Sequence, residues 1–233
     1  MAQFLAKHKI RFIAFIVVDL LLAAFLVNLY LVRTEMNRVE DLLRLGATEY
    51  EQPFELGSFN LVDNRDQAFG RDNLDGRWSL VFFGYTSCPD VCPLTMFELA
   101  KFYRELEVMA DVELPQVIIA SVDPATDSPA VLTEYLSRFH EDFIGLTGDL
   151  DALAELAGQL FVARTESPQS EAATATGTHT GHSPVTAVEG NAYTIEHSGH
   201  ISVINPAGEL IAVLRLPHRS DNLLQAYQQL IAD

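Results

Sequence analysis

Cys88 and Cys92 are the only two cysteines among 233 residues, and they stand in Thr86-Ser87-Cys88-Pro89-Asp90-Val91-Cys92-Pro93, directly after the apolar run Leu80-Val81-Phe82-Phe83. A close pair of thiols with no other cysteine points to metal or redox chemistry. A disulfide there would close a loop of about five residues, worth roughly 2 kcal/mol on the chain-entropy model, and a domain of this size can bury a core without such help. Redox thioredoxins use C-x-x-C, whereas three intervening residues leave the loop freer to present both sulfurs to one ion. Two thiolates suit Cu(I), Zn(II) or iron–sulfur, and one added imidazole accommodates copper in either oxidation state. Two cysteines are too few for a structural zinc site.

Seven histidines compete to be that imidazole. His197 lies just before the apolar run Ile201–Ile204, in the half of the chain expected to close around the cysteines. His200 competes with it. On one extended segment the two would face opposite sides, so only one could point at the sulfurs. His179 and His182, three apart, form a weaker pair within Glu166–Ala192, a stretch rich in Ser, Thr, Ala and Gly that reads as a long mobile loop.

The elements that must position these residues follow from hydrophobic pattern. Leu80–Phe83 and Val117–Val122 read as strands buried on both faces, and Pro93 to Met109 carries Leu99, Phe102, Tyr103 and Leu106 at helical spacing. Together they predict a right-handed βαβ unit with the cysteines at the crossover. A cysteine where a strand gives way to a helix N-terminus has its thiolate favoured by the helix dipole. Phe54–Leu56 and Phe59–Leu61 read as short strands. Helices are expected at Ala130–Phe139 and over residues 149–160. Ile201–Ile204 and Ile211–Leu214 predict a hairpin about Asn205-Pro206-Ala207-Gly208, and Ser220 predicts the cap of a last helix through Leu230. The order is that of an α/β, thioredoxin-like fold.

From Phe12 to Val32 the chain is apolar except for Asp19 and Asn28, long enough to span a bilayer and too long for an ordinary signal-peptide core. Lys7, Lys9 and Arg11 precede it, which predicts a cytoplasmic N-terminus and a soluble part in the periplasm. Residues 1–32 are therefore expected to be a cytoplasmic stub and inner-membrane anchor, 33–52 a tether, and 53–233 the globular domain with 166–192 inserted. Without Lys7, Lys9, Arg11 and Asp19, the totals of 15 basic and 32 acidic residues leave 12 and 31, a net charge of −19. Such a surface repels phosphate backbones and excludes nucleic acid as a partner.

Three segments together resemble the SCO/SenC family of copper proteins: Gly84–Pro93, Ser121-Val122-Asp123-Pro124-Ala125-Thr126-Asp127-Ser128-Pro129, and Glu196-His197-Ser198 followed by Asn205–Gly208. The resemblance covers roughly residues 53 to 230. It implies a thioredoxin-like, membrane-anchored copper chaperone that assists assembly of the CuA centre in subunit II of cytochrome c oxidase, or of another copper enzyme. It also implies copper ligands at Cys88, Cys92 and His197. The family's usual Asp before the histidine is Glu196 here. Asp123 matches a family position near the cysteines, open either to a supporting role or to a simple turn carboxylate, and Asp90 is open in the same way.

Two functions remain in contention on this reading. One is copper delivery through Cys88, Cys92 and His197, with a copper donor upstream. The other is a thiol-disulfide reductase cycling Cys88 and Cys92 against a periplasmic reductant to keep a client's cysteines reduced. Delivery is favoured because Pro184, the proline nearest before Ile201, is too far from it to serve as the cis-proline of a thioredoxin-type oxidoreductase.

Overall fold

A computed structural model describes residues 2–110, 112–162, 164–166, 193–195 and 199–232, with the backbone alone for 2–14, 164–166 and 193–195. The chain divides into two units at Arg44. The first is helix α1, Ala2–Arg44, whose side chains from Phe15 to Val32 are exposed and which is long and apolar enough to cross a membrane. The helix does not stop at residue 32 as expected. No glycine or proline occurs before Gly46, so nothing interrupts the helical spacing of Val39, Leu42 and Leu43. Gly46, at φ +84°, follows its end.

The second unit begins at Leu45, eight residues earlier than the sequence suggested. Strand β1 runs Ala47–Glu55 and pairs antiparallel with the strand Glu209–Leu214, Ala47 opposite Leu214. Residues 33–52 are thus not a tether: 33–44 are helix and 47–52 are sheet. The polar run Thr48–Gln52 concealed a strand that lies at the sheet's edge, where one side faces solvent.

The remaining elements are β2 (Asn60–Asp63), β3 (Ala68–Gly70), β4 (Ser79–Gly84), α2 (Val91–Glu107), β5 (Gln116–Ser121), α3 (Pro129–Leu136), β6 (Ile144–Thr147), α4 (Leu150–Gln159), β7 (Arg164–Glu166), β8 (Tyr193–Ile195), β9 (Ile201–Ile204), β10 (Glu209–Leu214) and α5 (Ser220–Leu230). Eight strands form one sheet in the order β1-β10-β9-β4-β5-β6-β2-β3, and β7 pairs with β8 apart from it. β4, β5 and β6 are parallel, and β9 runs antiparallel to β4. The β4-α2-β5 crossover and the closing β9-β10-α5 are the expected thioredoxin-like arrangement.

Alternation along the central strands feeds two cores. Val81, Phe83, Ile118, Ala120 and Leu146 pack with Leu153, Leu156 and Ala157 of α4. Phe82, Ile119 and Gly145 are directly opposite one another on the other face, where α3 lays Leu132 on Gly145. Asp149 caps α4 by accepting from Asp151 N at 2.8 Å, and Ser128 caps α3 through Val131 N. Ser220 is not a cap. It is the first residue of α5, and its N–H donates to Glu98 Oε2 of α2 at 2.7 Å, so a carboxylate from another helix satisfies this N-terminus.

Candidate metal centre

β4 delivers the chain to the cysteine loop at its C-terminal end, and α2 begins inside the motif at Val91. Asp90 is the residue before the helix, but its side chain makes no capping bond. Cys88 takes that place. Its Sγ accepts from Cys92 N at 3.4 Å and from the backbone of Asp90, so a sulfur stands where a cap oxygen usually would. The Cys92 thiol and the Tyr85 hydroxyl also donate to it.

The two thiols differ because their surroundings differ. Burial raises the pKa of Cys88, but the hydrogen bonds from Cys92, Asp90 and Tyr85 outweigh it and leave the thiol below its ordinary value. Cys92 is 1% exposed, and burial drives its thiol well above the ordinary range, reinforced by donation to Cys88 and by the charges of Cys88 and Asp127. Half-buried Cys88 is therefore the ready nucleophile or ligand, and Cys92 holds its proton until an electrophile or cation replaces it. Both cysteines are free thiols, with no disulfide between them.

Gly84 makes room for Cys92. A Cβ on Gly84 would lie 3.0 Å from Cys92 Sγ and 2.8 Å from Phe82 Cε1, so the sulfur sits against bare backbone. Asp127 fixes the loop from behind. It is fully buried, and its carboxylate accepts from Thr86 N at 3.2 and 3.3 Å, from Thr86 Oγ1 at 2.5 Å and from Ser121 Oγ at 2.7 Å. Ser121 Oγ in turn accepts from Asp123 N at 3.0 Å. The network binds the start of the cysteine loop to the end of β5. In the sequence Asp127 stands out only as a member of the segment Ser121–Pro129, since nothing local shows that its partner is Thr86.

Asp123 is buried, its backbone carbonyl accepts from the Thr126 and Asp127 N–H groups, and the charge of its carboxylate acts on the Tyr85 hydroxyl beside Cys88. Tyr135 of α3 is a further member that the sequence did not reveal. Among the described residues its buried hydroxyl has no hydrogen-bond partner, and burial together with the charges of Cys92, Cys88 and Asp127 raises its pKa. A group carrying positive charge between the thiols fits these surroundings: one ready thiolate, a second soft sulfur and a nearby buried carboxylate.

Of the histidines singled out, His197 lies outside the described residues, as do His179 and His182. His200 is half-buried, with Nε2 3.3 Å from the Leu160 carbonyl oxygen, so that nitrogen carries a proton. Burial lowers its pKa, and that hydrogen bond acts against the change. Among the described residues no three of His, Cys, Asp and Glu converge as a metal cluster. The register nonetheless fixes where the chain before β9 emerges. Ile201 is opposite Phe82, so Gly199 and His200 lie at the end of the sheet that carries the cysteine loop. His218, buried beyond β10, donates from Nε2 to the Gly199 carbonyl at 2.8 Å and holds this segment in place.

Comparison with known proteins agrees with this architecture. Residues 47–232 match the SCO1/SenC family. A Stutzerimonas stutzeri protein whose name describes copper binding is 34% identical over 174 residues, covering 73% of this chain and 74% of that one. The mitochondrial protein SCO1 of Saccharomyces cerevisiae is 30% identical over 186 residues, 79% of this chain and 57% of the yeast protein. The chain spans between half and three quarters of the length of the first curated relatives it matches. The crystal structure of yeast Sco1 with copper bound superposes with a TM-score of 0.58 at 28% identity, covering 74% of this chain and 86% of that one. Since the match extends from the first strand through the last helix and includes the cysteine loop, the chain belongs to the SCO1/SenC family.

Proposed function

We propose that this protein is a membrane-anchored copper chaperone that holds copper through Cys88, Cys92 and His197 and passes it to the CuA site of cytochrome c oxidase subunit II. The observation that carries the reading is the thiol pair at the start of α2, with one sulfur activated and half-exposed and the other buried beside it. The β4–β9 register supports His197, because it brings the chain that precedes Ile201 to the cysteine end. His197 is preferred to His200 because Glu196-His197-Ser198 followed by Asn205–Gly208 is the segment that resembles the family's ligand histidine. The copper-bound yeast relative supports the choice of cargo. In delivery the ion keeps its oxidation state. Its bonds to the two sulfurs give way to bonds from the receiver's thiolates, and the receiver's protons return to Cys88 and Cys92.

The apolar α1 anchors the domain at the periplasmic face of the inner membrane, with the basic N-terminus in the cytoplasm. Titration of the full chain in detergent tests the site. One copper per chain is expected in the reduced form and none in the disulfide form, with His197→Ala weakening Cu(II) more than Cu(I). Unchanged Cu(II) binding in His197→Ala, with loss in His200→Ala, would transfer the third ligand to His200.

The unequal thiols favour a second reading, a thiol-disulfide reductase acting on the client's cysteines, because an activated outer thiol with a buried partner is also a redox arrangement. Stoichiometric reduction of an oxidised subunit II domain by copper-free protein would establish it.

A further inference from the structure

We infer that Tyr135 is a positioning residue whose hydroxyl donates to the Cys92 sulfur once copper has replaced that thiol's proton; this deepens the copper reading above and rests on it. Tyr135 is 7% exposed, and among the described residues its buried hydroxyl has no hydrogen-bond partner. A hydroxyl buried in that condition costs stability, which calls for another state of the protein that uses it. Its surroundings identify that state. Helix α3 starts directly after Asp127, whose carboxylate holds Thr86 at the head of the cysteine loop, so the N-terminus of α3 lies at the cysteine end of the sheet. Helical side chains lean towards the N-terminus of their helix, which carries the Tyr135 ring back towards Asp127 and the sulfurs. The face of the sheet is the same as well. Leu132 and Leu136 of α3 lie on Gly145, and Ile119, directly opposite Gly145, shares the space beside Gly84 with the Cys92 sulfur. Of the charges that act on the Tyr135 hydroxyl, that of Cys92 acts most strongly, followed by Cys88 and Asp127.

The two sulfurs are provided for unequally. Cys88 accepts from Cys92, Asp90 and Tyr85, whereas Cys92 donates its proton to Cys88 and is buried where the Asp127 charge reaches it. That arrangement suits a neutral Cys92. When the ion binds, the Cys92 proton leaves to solvent, a bond from sulfur to copper forms in place of the S–H bond, and the sulfur becomes a charged acceptor in a buried place. A donor aimed at it is stronger there than in water, because the acceptor is ionised and the local dielectric is low. Tyr135 supplies that donor without giving up its own proton, since burial and the neighbouring charges keep its hydroxyl protonated. The hydroxyl thus destabilises the copper-free protein and stabilises the loaded one, and these opposite signs make the role measurable.

The test is Tyr135→Phe in the full chain in detergent, which removes the oxygen and leaves the ring. In the reduced, copper-free protein the midpoint of thermal unfolding, followed by Trp78, is expected to rise. Cu(I) affinity, measured by competition with a chelator, is expected to fall about tenfold, the lower end for loss of an outer-sphere partner. The Cu(II)/Cu(I) potential should fall with it, because a thiolate without its donor is richer in electrons and favours the ion of higher charge. A residue that merely supported the fold would leave the potential unmoved. Unchanged Cu(I) affinity in the variant would overturn the proposal. A lower unfolding midpoint in the copper-free variant would also overturn it, by showing the hydroxyl already bonded there. Weaker binding at an unchanged potential would make Tyr135 a packing residue and overturn it too. Failure of the reduced wild type to bind copper would instead overturn the reading on which the proposal rests.

Discussion

The same parallel strands end in two very different places. At their C-terminal ends polar groups are buried: Asp127 is fully buried with Thr86 and Ser121 on its oxygens, and Cys92 is 1% exposed against Gly84. At their N-terminal ends lies a hollow of about 420 Å³ lined by Arg65, Arg77, Tyr103, Glu113 and Asp142 among others, with both arginines exposed. Volume and charge alone do not make a site. Proton affinities are shifted at both ends, since burial and the charges of Asp142 and Glu107 raise Tyr103 in the hollow, but at the cysteine end the shifted groups are a pair of thiols driven in opposite directions.

The sharpest way to break this contrast is at the sulfurs. Cys88→Ser or Cys92→Ser should lower copper affinity by more than the roughly 10–100-fold that losing an outer-sphere partner costs, measured by competition with a Cu(I) chelator. Next comes Asp127→Ala, which strands the Thr86 N–H in a partly buried place. A loss of about 3 kcal/mol is expected in denaturant unfolding followed by Trp78, the only tryptophan.

A smaller effect separates the thiols by pH in the reduced, copper-free protein. Alkylation at Cys88 should have its midpoint below that of an ordinary cysteine, while Cys92 remains unreacted in the folded state. Stability follows with opposite signs. The depressed Cys88 value contributes stability above the unfolded thiol value, about 8.5, and loses it as pH falls through the folded value. The raised Cys92 value contributes below about 8.5 and is lost as pH climbs towards its folded value, so alkaline unfolding should be relieved in Cys92→Ala. The smallest change is expected at the opposite end. Arg65→Ala and Arg77→Ala should alter stability by no more than about 0.5 kcal/mol and leave copper binding intact; a copper defect in either would make the two ends interdependent.

What could be read beforehand follows the range of the interactions. The cysteine loop was legible because its meaning is local: two sulfurs, four positions apart, between an apolar run and a helical repeat. β4 and β5 were legible because both of their faces are buried. β6 was missed, since Ile144-Gly145-Leu146-Thr147 is too short to show a pattern, and Gly145 is there for the contact with Leu132. The ends of α1 and β1 were misplaced because polar residues on a solvent-facing helix or edge strand look like linker. Thr86–Asp127 and Glu98–Ser220 join residues 41 and 122 positions apart, and no local pattern encodes either pair.

Gly84 has a consequence for how the site can change over time. The sulfur of Cys92 occupies volume that a methyl group on residue 84 would claim, so the two positions are one unit of space divided between two residues. Their substitutions should therefore not add. Gly84→Ala should be costly in the wild type and less so beside Cys92→Ala, with the contact to Phe82 remaining as the part that no change at the cysteine can remove. A lineage that abandoned the metal would be free to fill position 84 only after the sulfur had gone, and the order of those two events would be written in which residue changed first.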